Sequence, residues 1–499
     1  MTQLRILAPS YLLPEPDPES LIKDGAALIE DDRIVAIGPL EALTNRAPTA
    51  LVDRLDGKLL MPGFVNAHQH GRGLGTLQLG YRDDQLERWI AARWRRGPLN
   101  PGAHAALAAA EMLRHGVTTT IQANSATGSG DYEGELRATL RAYDAIGLRA
   151  MVCVGAQDRA LTVYPEESTP RFIEGCSPEL QAVLRDRQSV YAAGPSETLA
   201  MMQRLLSDYA GHPRLTLGYG PAGPQWTSDA MFRAIADDSE RRGLPVHLHC
   251  LESPMQAKVC REIYPGGVIK GLGALGLGSS RVSLAHGVWM TPDDIEAAAG
   301  YGMTVVRNPG SNLRLRNGVA PHPQFLAQGL SVAVGTDNSG LDDDENLLAE
   351  LRLATDLALG QTGLSFGRPA RPTLADQLAM LTVNGAAAAG LGAQVGRIRA
   401  GWQADLTAID LTHVTGPYLD PLVTPVDAVL RRAGARDVAM TMVAGRILWR
   451  DGRLIGHDMA ALIDAVRQDA QSSRLNAEPR LAALVPELLE RLDSHYGAA

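Results

Sequence analysis

Five short segments carry polar residues at the ends of apolar, strand-like runs. They are Phe64-Val65-Asn66-Ala67-His68-Gln69-His70, Val246-His247-Leu248-His249-Cys250-Leu251-Glu252, Leu284-Ala285-His286-Gly287, Val305-Val306-Arg307-Asn308-Pro309 and Val332-Ala333-Val334-Gly335-Thr336-Asp337. Residues two apart in a strand point the same way, so His68 and His70 can grip one metal ion together. His249 is the better third ligand of its pair, because Glu252 lies three residues on, where a turn can swing its carboxylate over the reacting water. By alternation His247 points the same way as His249, so geometry leaves that choice open. We read His247 as a histidine behind a ligand or in the core. Asp337 can ligate the metal or accept a proton from water, with a helix N-cap as its competing role. Three imidazoles and a carboxylate suit one Zn²⁺, with Fe²⁺ and Mn²⁺ also compatible. Glu252 and His286 remain free for proton transfer. The chemistry expected of such a set is metal-dependent hydrolysis.

These residues need strands to hold them. Apolar strand runs fall at 64–67, 118–121, 150–154, 215–218, 245–249, 282–285, 303–306 and 332–335, with helical stretches such as 102–114, 135–146 and 196–210 between them. Eight such β–α units predict an α/β fold, a closed (β/α)₈ TIM barrel, and active residues in such barrels sit at the C-terminal strand ends. The chain ends read as short strands. Ala26–Glu30 and Arg33–Ile37 flank Asp31-Asp32 as a hairpin, and strand texture returns at 404–409 and 439–448. The expected division is therefore 1–62 and 396–455 as a small composite β-sandwich domain from both ends, 63–395 as the catalytic barrel, and 456–499 as a helical extension bracing the fold or a subunit contact. Residues 157–195 are rich in Pro, Ser, Glu and Gly and read as a lid or a surface insertion. The acidic run Asp342–Glu345 reads as a helix start rather than a second metal site.

Composition narrows the function classes. A chain of 499 residues can bury a large core, and its net charge of −9 disfavours nucleic acid as a partner. No uncharged apolar run reaches membrane-spanning length, which speaks against a membrane partner. Four cysteines without metal-type spacing suggest reduced thiols and a cytoplasmic location. Cys250 reads as small buried filler.

Taken in order, the motifs resemble the amidohydrolase superfamily, in its branch of cytosine, guanine and S-adenosylhomocysteine deaminases and triazine hydrolases. The stretches that carry the resemblance are Pro62–His70, His249–Glu252, Ala285–Trp289, Asn308–Leu313, Gly335–Asp337, Asn384–Ala386, Gly401–Leu406 and Val443–Arg446, within roughly residues 5–455. The resemblance implies His68, His70, His249 and Asp337 as ligands of a single metal, Glu252 as proton shuttle and His286 as a hydrogen-bonding partner of substrate or water. It also implies a small heterocyclic substrate and a homo-oligomer. Adenosine-type relatives carry histidines after the fourth and seventh strands, where this chain has Ala222 and Arg307. Arg307 is expected to read a carbonyl or anionic group because it ends a strand facing the mouth, or else to form a structural salt bridge. Trp226, Gln225 and Arg72 are further pocket candidates, with Trp226 able to stack on a ring. The leading expectation is hydrolytic deamination of a purine, pterin or triazine-like ring with release of ammonia. Hydrolysis of another C–N bond, a C–Cl bond or a cyclic amide stands second. A non-catalytic scaffold predicts lost ligands, yet every ligand position is filled.

Overall fold

The computed structural model describes residues 4–192, 194–338, 340–362 and 371–497. Eight parallel strands hydrogen-bond in chain order: β1 Phe64–Gln69, β2 Val117–Ala123, β3 Arg149–Ala156, β4 Leu215–Pro221, β5 Val246–Cys250, β6 Val282–His286, β7 Thr304–Arg307 and β8 Ser331–Val334. The barrel closes between its first and last strands, where the Asp337 N–H donates to the His68 carbonyl at 2.9 Å. Gly335 stands at this seam because a Cβ there would lie 2.6 Å from the same carbonyl. β2 and β3 are buried along their whole length, as a parallel sheet covered on both faces requires. One face of the strands fills the barrel with Val65, Ala67, Ile121, Met151, Cys153, Val306 and Ala333. The other packs Val152, Leu217, Leu248 and Val305 in the cluster that also holds helix residues such as Met112, Leu140 and Phe232.

The helices begin where the sequence offers caps. Asn100, Asp131 and Ser228 accept from the backbone of the helices Pro101–Arg114, Tyr132–Ile146 and Asp229–Arg242. The acidic run at 342–345 does not start a helix, contrary to expectation. Asn346 caps Leu347–Gln361 instead, while Asp343 pairs with Arg314 at 2.6 Å and Glu345 accepts from Thr336 at 2.6 Å. Tertiary partners thus claim those carboxylates before the helix begins.

Both chain ends build a second sheet of nine strands. Its path runs through Leu406–Asp410, Leu51–Pro62 and Leu4–Leu12, so the C-terminal and N-terminal strands lie side by side. The expected hairpin is present, with Glu30 opposite Arg33. Leu7, Ile29, Leu60, Leu406 and Met440 share one apolar cluster in it. The buried Arg149–Asp405 pair, at 2.7 Å, ties this sheet to β3.

The last two helices, Met459–Leu475 and Pro479–Tyr496, pack back onto the chain. The first lies along Pro101–Arg114, with His104 3.2 Å from Asp469. The second joins Leu86–Ala92 and the short helices Thr169–Glu174 and Pro178–Arg185 in a separate apolar cluster of Ala91, Phe172, Leu180, Leu184, Leu488 and Leu492. Among the described residues, no helix is long and apolar enough to cross a membrane.

Candidate active site

The ends of β1, β5, β6 and β8 meet at the barrel mouth. Nε2 of His70 lies 3.1 Å and Nε2 of His68 3.4 Å from Oδ1 of Asp337, and Nε2 of His249 is 3.4 Å from Nε2 of His70. Ligand atoms of His68, His70 and His249 fall within 4.8 Å of one another, as do those of His68, His286 and Asp337. The backbone turns sharply to aim them: φ is +76° at His286, +57° at Asp337 and +52° at Leu251. Such left-handed geometry is uncommon outside glycine and marks places where the fold imposes a conformation.

The hydrogen-bond pattern tests whether a cation fits. Nδ1 of His70 lies 2.6 Å from the Ala123 carbonyl, which can only accept, so the proton sits on Nδ1 and Nε2 presents a lone pair. Ser283 Oγ donates to the Val246 carbonyl at 3.5 Å, so it accepts from Nδ1 of His247 at 2.8 Å, and Nε2 of His247 in turn accepts from Nδ1 of His68 at 2.7 Å. That relay leaves Nε2 of His68 a bare lone pair as well, buried and without a hydrogen-bond partner. Burial holds both imidazoles below their usual pKa, and His68 far below it. Lone pairs of two neutral imidazoles therefore face a carboxylate oxygen at close range. That arrangement is repulsive unless a cation sits among them, so the donor set fits a divalent metal held by His68, His70, His249 and Asp337. The Asp337 carboxylate is buried with them. Ser311 Oγ donates to its other oxygen at 2.5 Å.

Glu252 is almost fully buried, and burial lifts its carboxyl to about 7. Its Oε2 lies 3.7 Å from Nε2 of His286, and Nδ2 of Asn317 donates to its Oε1 at 2.9 Å. The Asn312 side-chain oxygen, 2.9 Å from Nδ1 of His286, fixes the proton there and leaves Nε2 to accept. Asn312 and Ser311 belong to a motif visible in the sequence. Asn317 had no such signal, since its partner lies 65 positions away.

A cavity of about 740 Å³ opens above these groups. Trp226 and Arg72 line it. The Arg72 guanidinium lies over the Trp89 ring at 5.3 Å, and burial lowers its pKa to about 9. Gln225 and Arg307 are outside the lining, which corrects the expectation that they meet substrate. Gln225 is buried beside Cys260, its Oε1 3.6 Å from the sulfur. Strand alternation points Val306 into the barrel and Arg307 out of it, where Nη1 contacts His322 at 2.7 Å and donates to the Ala354 carbonyl at 2.8 Å. Arg307 makes no salt bridge among the described residues, so the structural alternative holds only as a buried hydrogen-bond anchor. Ala222, in place of a family histidine, does line the cavity. So do residues of 157–192 and residues of the last helix, whose place there has no local signal in the sequence.

Known proteins resemble this chain along most of its length. A 5-methylthioadenosine/S-adenosylhomocysteine deaminase of Nitratidesulfovibrio vulgaris is 31% identical over 461 residues, covering 90% of this chain and 92% of its own. The zinc-bound crystal structure of an adenosine deaminase from Xanthomonas campestris matches with a TM-score of 0.76 and 25% identity, over 94% of this chain and 98% of its own. The fold alone is shared with an atrazine chlorohydrolase of Arthrobacter aurescens TC1, with a TM-score of 0.75 and 23% identity over 93% and 99% of the two chains. The amidohydrolase family model matches residues 59–448, a span from the strand before β1 to the returning strands of the second sheet, and the chain belongs to the amidohydrolase family.

Proposed function

We propose that this chain is a metal-dependent aminohydrolase that releases ammonia from an amino-substituted N-heterocycle, with a purine-type ring as the first choice. The observation that carries the reading is a buried Glu252 carboxyl, with pKa lifted to about 7, beside a set of imidazoles built to hold a metal. An acid that keeps its proton near neutrality is what protonation of a ring nitrogen requires. The relatives named as deaminases of adenosine-type compounds support the same ring class.

His68, His70, His249 and Asp337 would hold the metal, with Zn²⁺ the ion we favour from the donor set and the zinc-bound neighbour. When bound, the metal supplies Lewis acidity that makes water reactive near neutral pH. The Asp337 carboxylate takes the proton of the attacking water. Glu252 gives its proton to the ring nitrogen, making the adjacent carbon electrophilic; as the C–N bond breaks, Asp337 passes the proton it took from the water to the departing amine, and Glu252 recovers a proton from the hydroxyl added to the ring carbon. Nε2 of His286 accepts a hydrogen bond from the water and so aims it. Arg72 and Trp226 bind the ring or its substituent from the cavity wall. Four buried free thiols support a cytoplasmic location. A homo-oligomer, implied by family resemblance, is part of the reading and is checked by light scattering.

The test is ammonia release by Zn²⁺-loaded protein from purines, pterins, pyrimidines and triazines. Release from purines that is lost in Glu252→Gln supports the reading. Chloride or alkylamine release without ammonia overturns it in favour of triazine-type hydrolysis.

A further inference from the structure

At about 740 Å³ the cavity is of the size that takes drug-like molecules, leaving room beyond a bare heterocycle. One wall comes from the far end of the chain. Leu488, Leu492 and Tyr496 line the cavity together with Leu184 and Trp94. These residues belong to the apolar cluster of the covering segments rather than to that of the barrel. The helix bearing them is tied down: Ser177 donates through N–H and Oγ to the Glu487 carboxylate at 2.6 and 2.7 Å, and His495 donates to the Tyr164 carbonyl at 3.2 Å.

A string of contacts joins this wall to the acid. Tyr496 Oη accepts from the Tyr164 N–H at 3.1 Å, and the two rings sit 5.3 Å apart. The Tyr164 hydroxyl donates to Glu87, which also accepts from Ser253 Oγ at 2.6 Å, next in chain to Glu252. The Tyr164 ring meets Trp226 edge-on at 5.9 Å. A molecule with its reacting ring at Glu252 and an apolar group along this string would bury that group against Leu184, Leu488, Leu492 and Tyr496.

We propose that the C-terminal helix is a specificity-determining element and that these four residues form a subsite for an apolar substituent on the heterocycle. The inference rests on the proposed function for the position of the ring. Burying alkyl groups against such a wall favours the substituted ring over the bare one.

The test uses the full, metal-loaded chain and two probes, adenine and adenine carrying a hexyl group on its imidazole nitrogen. Binding is read by calorimetry and turnover by ammonia release. Wild type is expected to bind the hexyl compound at least about tenfold tighter than adenine. Leu492→Trp, which fills the subsite, and Tyr496→Ala, which opens it, should each cut that preference by about tenfold, through KM rather than kcat. If Leu492→Trp does not fold, Tyr496→Ala at the half-buried end of the helix decides. A wild type without preference, whether it takes both probes or neither, overturns the subsite. So do folded variants in which both probes weaken in parallel. A retained hexyl preference without ammonia release overturns the deaminase reading and leaves the subsite standing.

Discussion

Replacing His247 by phenylalanine separates a metal ligand from the residue behind one. Both ring nitrogens of His247 are already engaged, Nε2 with His68 at 2.7 Å and Nδ1 with Ser283 at 2.8 Å. It therefore has no lone pair to offer a metal, whereas His249 has its Nε2 among the converging atoms. Phenylalanine keeps the ring volume and removes the acceptor, stranding the His68 Nδ1–H in a fully buried place. An unsatisfied buried donor costs about 1–3 kcal/mol. Part of that cost falls on metal binding, because His68 loses the contact that fixes its tautomer and ring plane. Loss of such a supporting contact lowers metal affinity by about 10–100-fold, or about 1.4–2.7 kcal/mol.

The assay is competition against a chromophoric chelator, run alongside ammonia release at rising metal concentration. His247→Phe should bind metal more weakly by one to two decades on this estimate and recover turnover when metal is saturating. His249→Phe should lose the site beyond rescue. The reverse pattern, with His249→Phe rescued and His247→Phe dead at any metal concentration, would refute the assignment. An unchanged affinity in His247→Phe would refute the relay.

Three further outcomes follow from single contacts. Arg307→Met should leave kcat/KM intact, because the side chain points away from the cavity, yet lower stability by about 1–3 kcal/mol by stranding the buried His322 ring nitrogen; a drop in kcat/KM at unchanged melting temperature counts against this. Glu350, buried and accepting from the Gly310 and Leu341 N–H groups at 2.8 Å each, has its pKa raised by burial from 4.5 to about 7. The folded state then holds a proton that the unfolded chain releases, so this contribution is complete below pH 4.5 and is lost as pH rises towards 7. Its size is about 3 kcal/mol, and Glu350→Gln should flatten the fall in melting temperature over that window; identical slopes in both proteins would exclude it. Asp337→Asn tolerates the left-handed backbone and removes the carboxylate that faces imidazole lone pairs, so the metal-free variant should melt no lower than metal-free wild type while losing the rise in melting temperature on metal addition. A metal-free variant melting several degrees lower would contradict the lone-pair argument.

The barrel strands and the metal-type residues were legible because their signals are local. Each strand is a short apolar run, and each candidate ligand ends one within two or three positions, so parallel-barrel geometry alone brings them to one mouth. Arg307 was misread for a reason of parity: a strand of four residues offers an inward and an outward end position one residue apart, and only the neighbouring Val306 shows which is which. Asp343 and Glu345 look like helix-start chemistry until their partners Arg314 and Thr336 are seen, and neither partner has a fixed spacing from the run. Asn317, which holds Glu252, and Tyr496, which meets Tyr164, are positioned wholly by tertiary structure.

The same contrast explains how the molecule divides its work. The reacting groups sit where the backbone is forced into left-handed turns at Leu251, His286 and Asp337, conformations that cost on the order of 1–3 kcal/mol each outside glycine. The barrel over-determines them: the Asp337 N–H is held by the His68 carbonyl at 2.9 Å, and the Gly287 and Trp289 N–H groups by the carbonyls of Cys250 and Leu251 at 3.1 and 3.0 Å. A closed ladder of strands holds these turns steady. The cover carries one such turn, at Ala160 with φ +50°, and none on the last helix, and is assembled from three stretches far apart in sequence, at 86–96, 160–187 and 479–496. It can change by substitution without disturbing the turns that aim His286 and Asp337. Chemistry is thereby anchored in the ladder, and the cover reaches it through a few side-chain contacts, such as Ser253 with Glu87 and Tyr164 with Trp226.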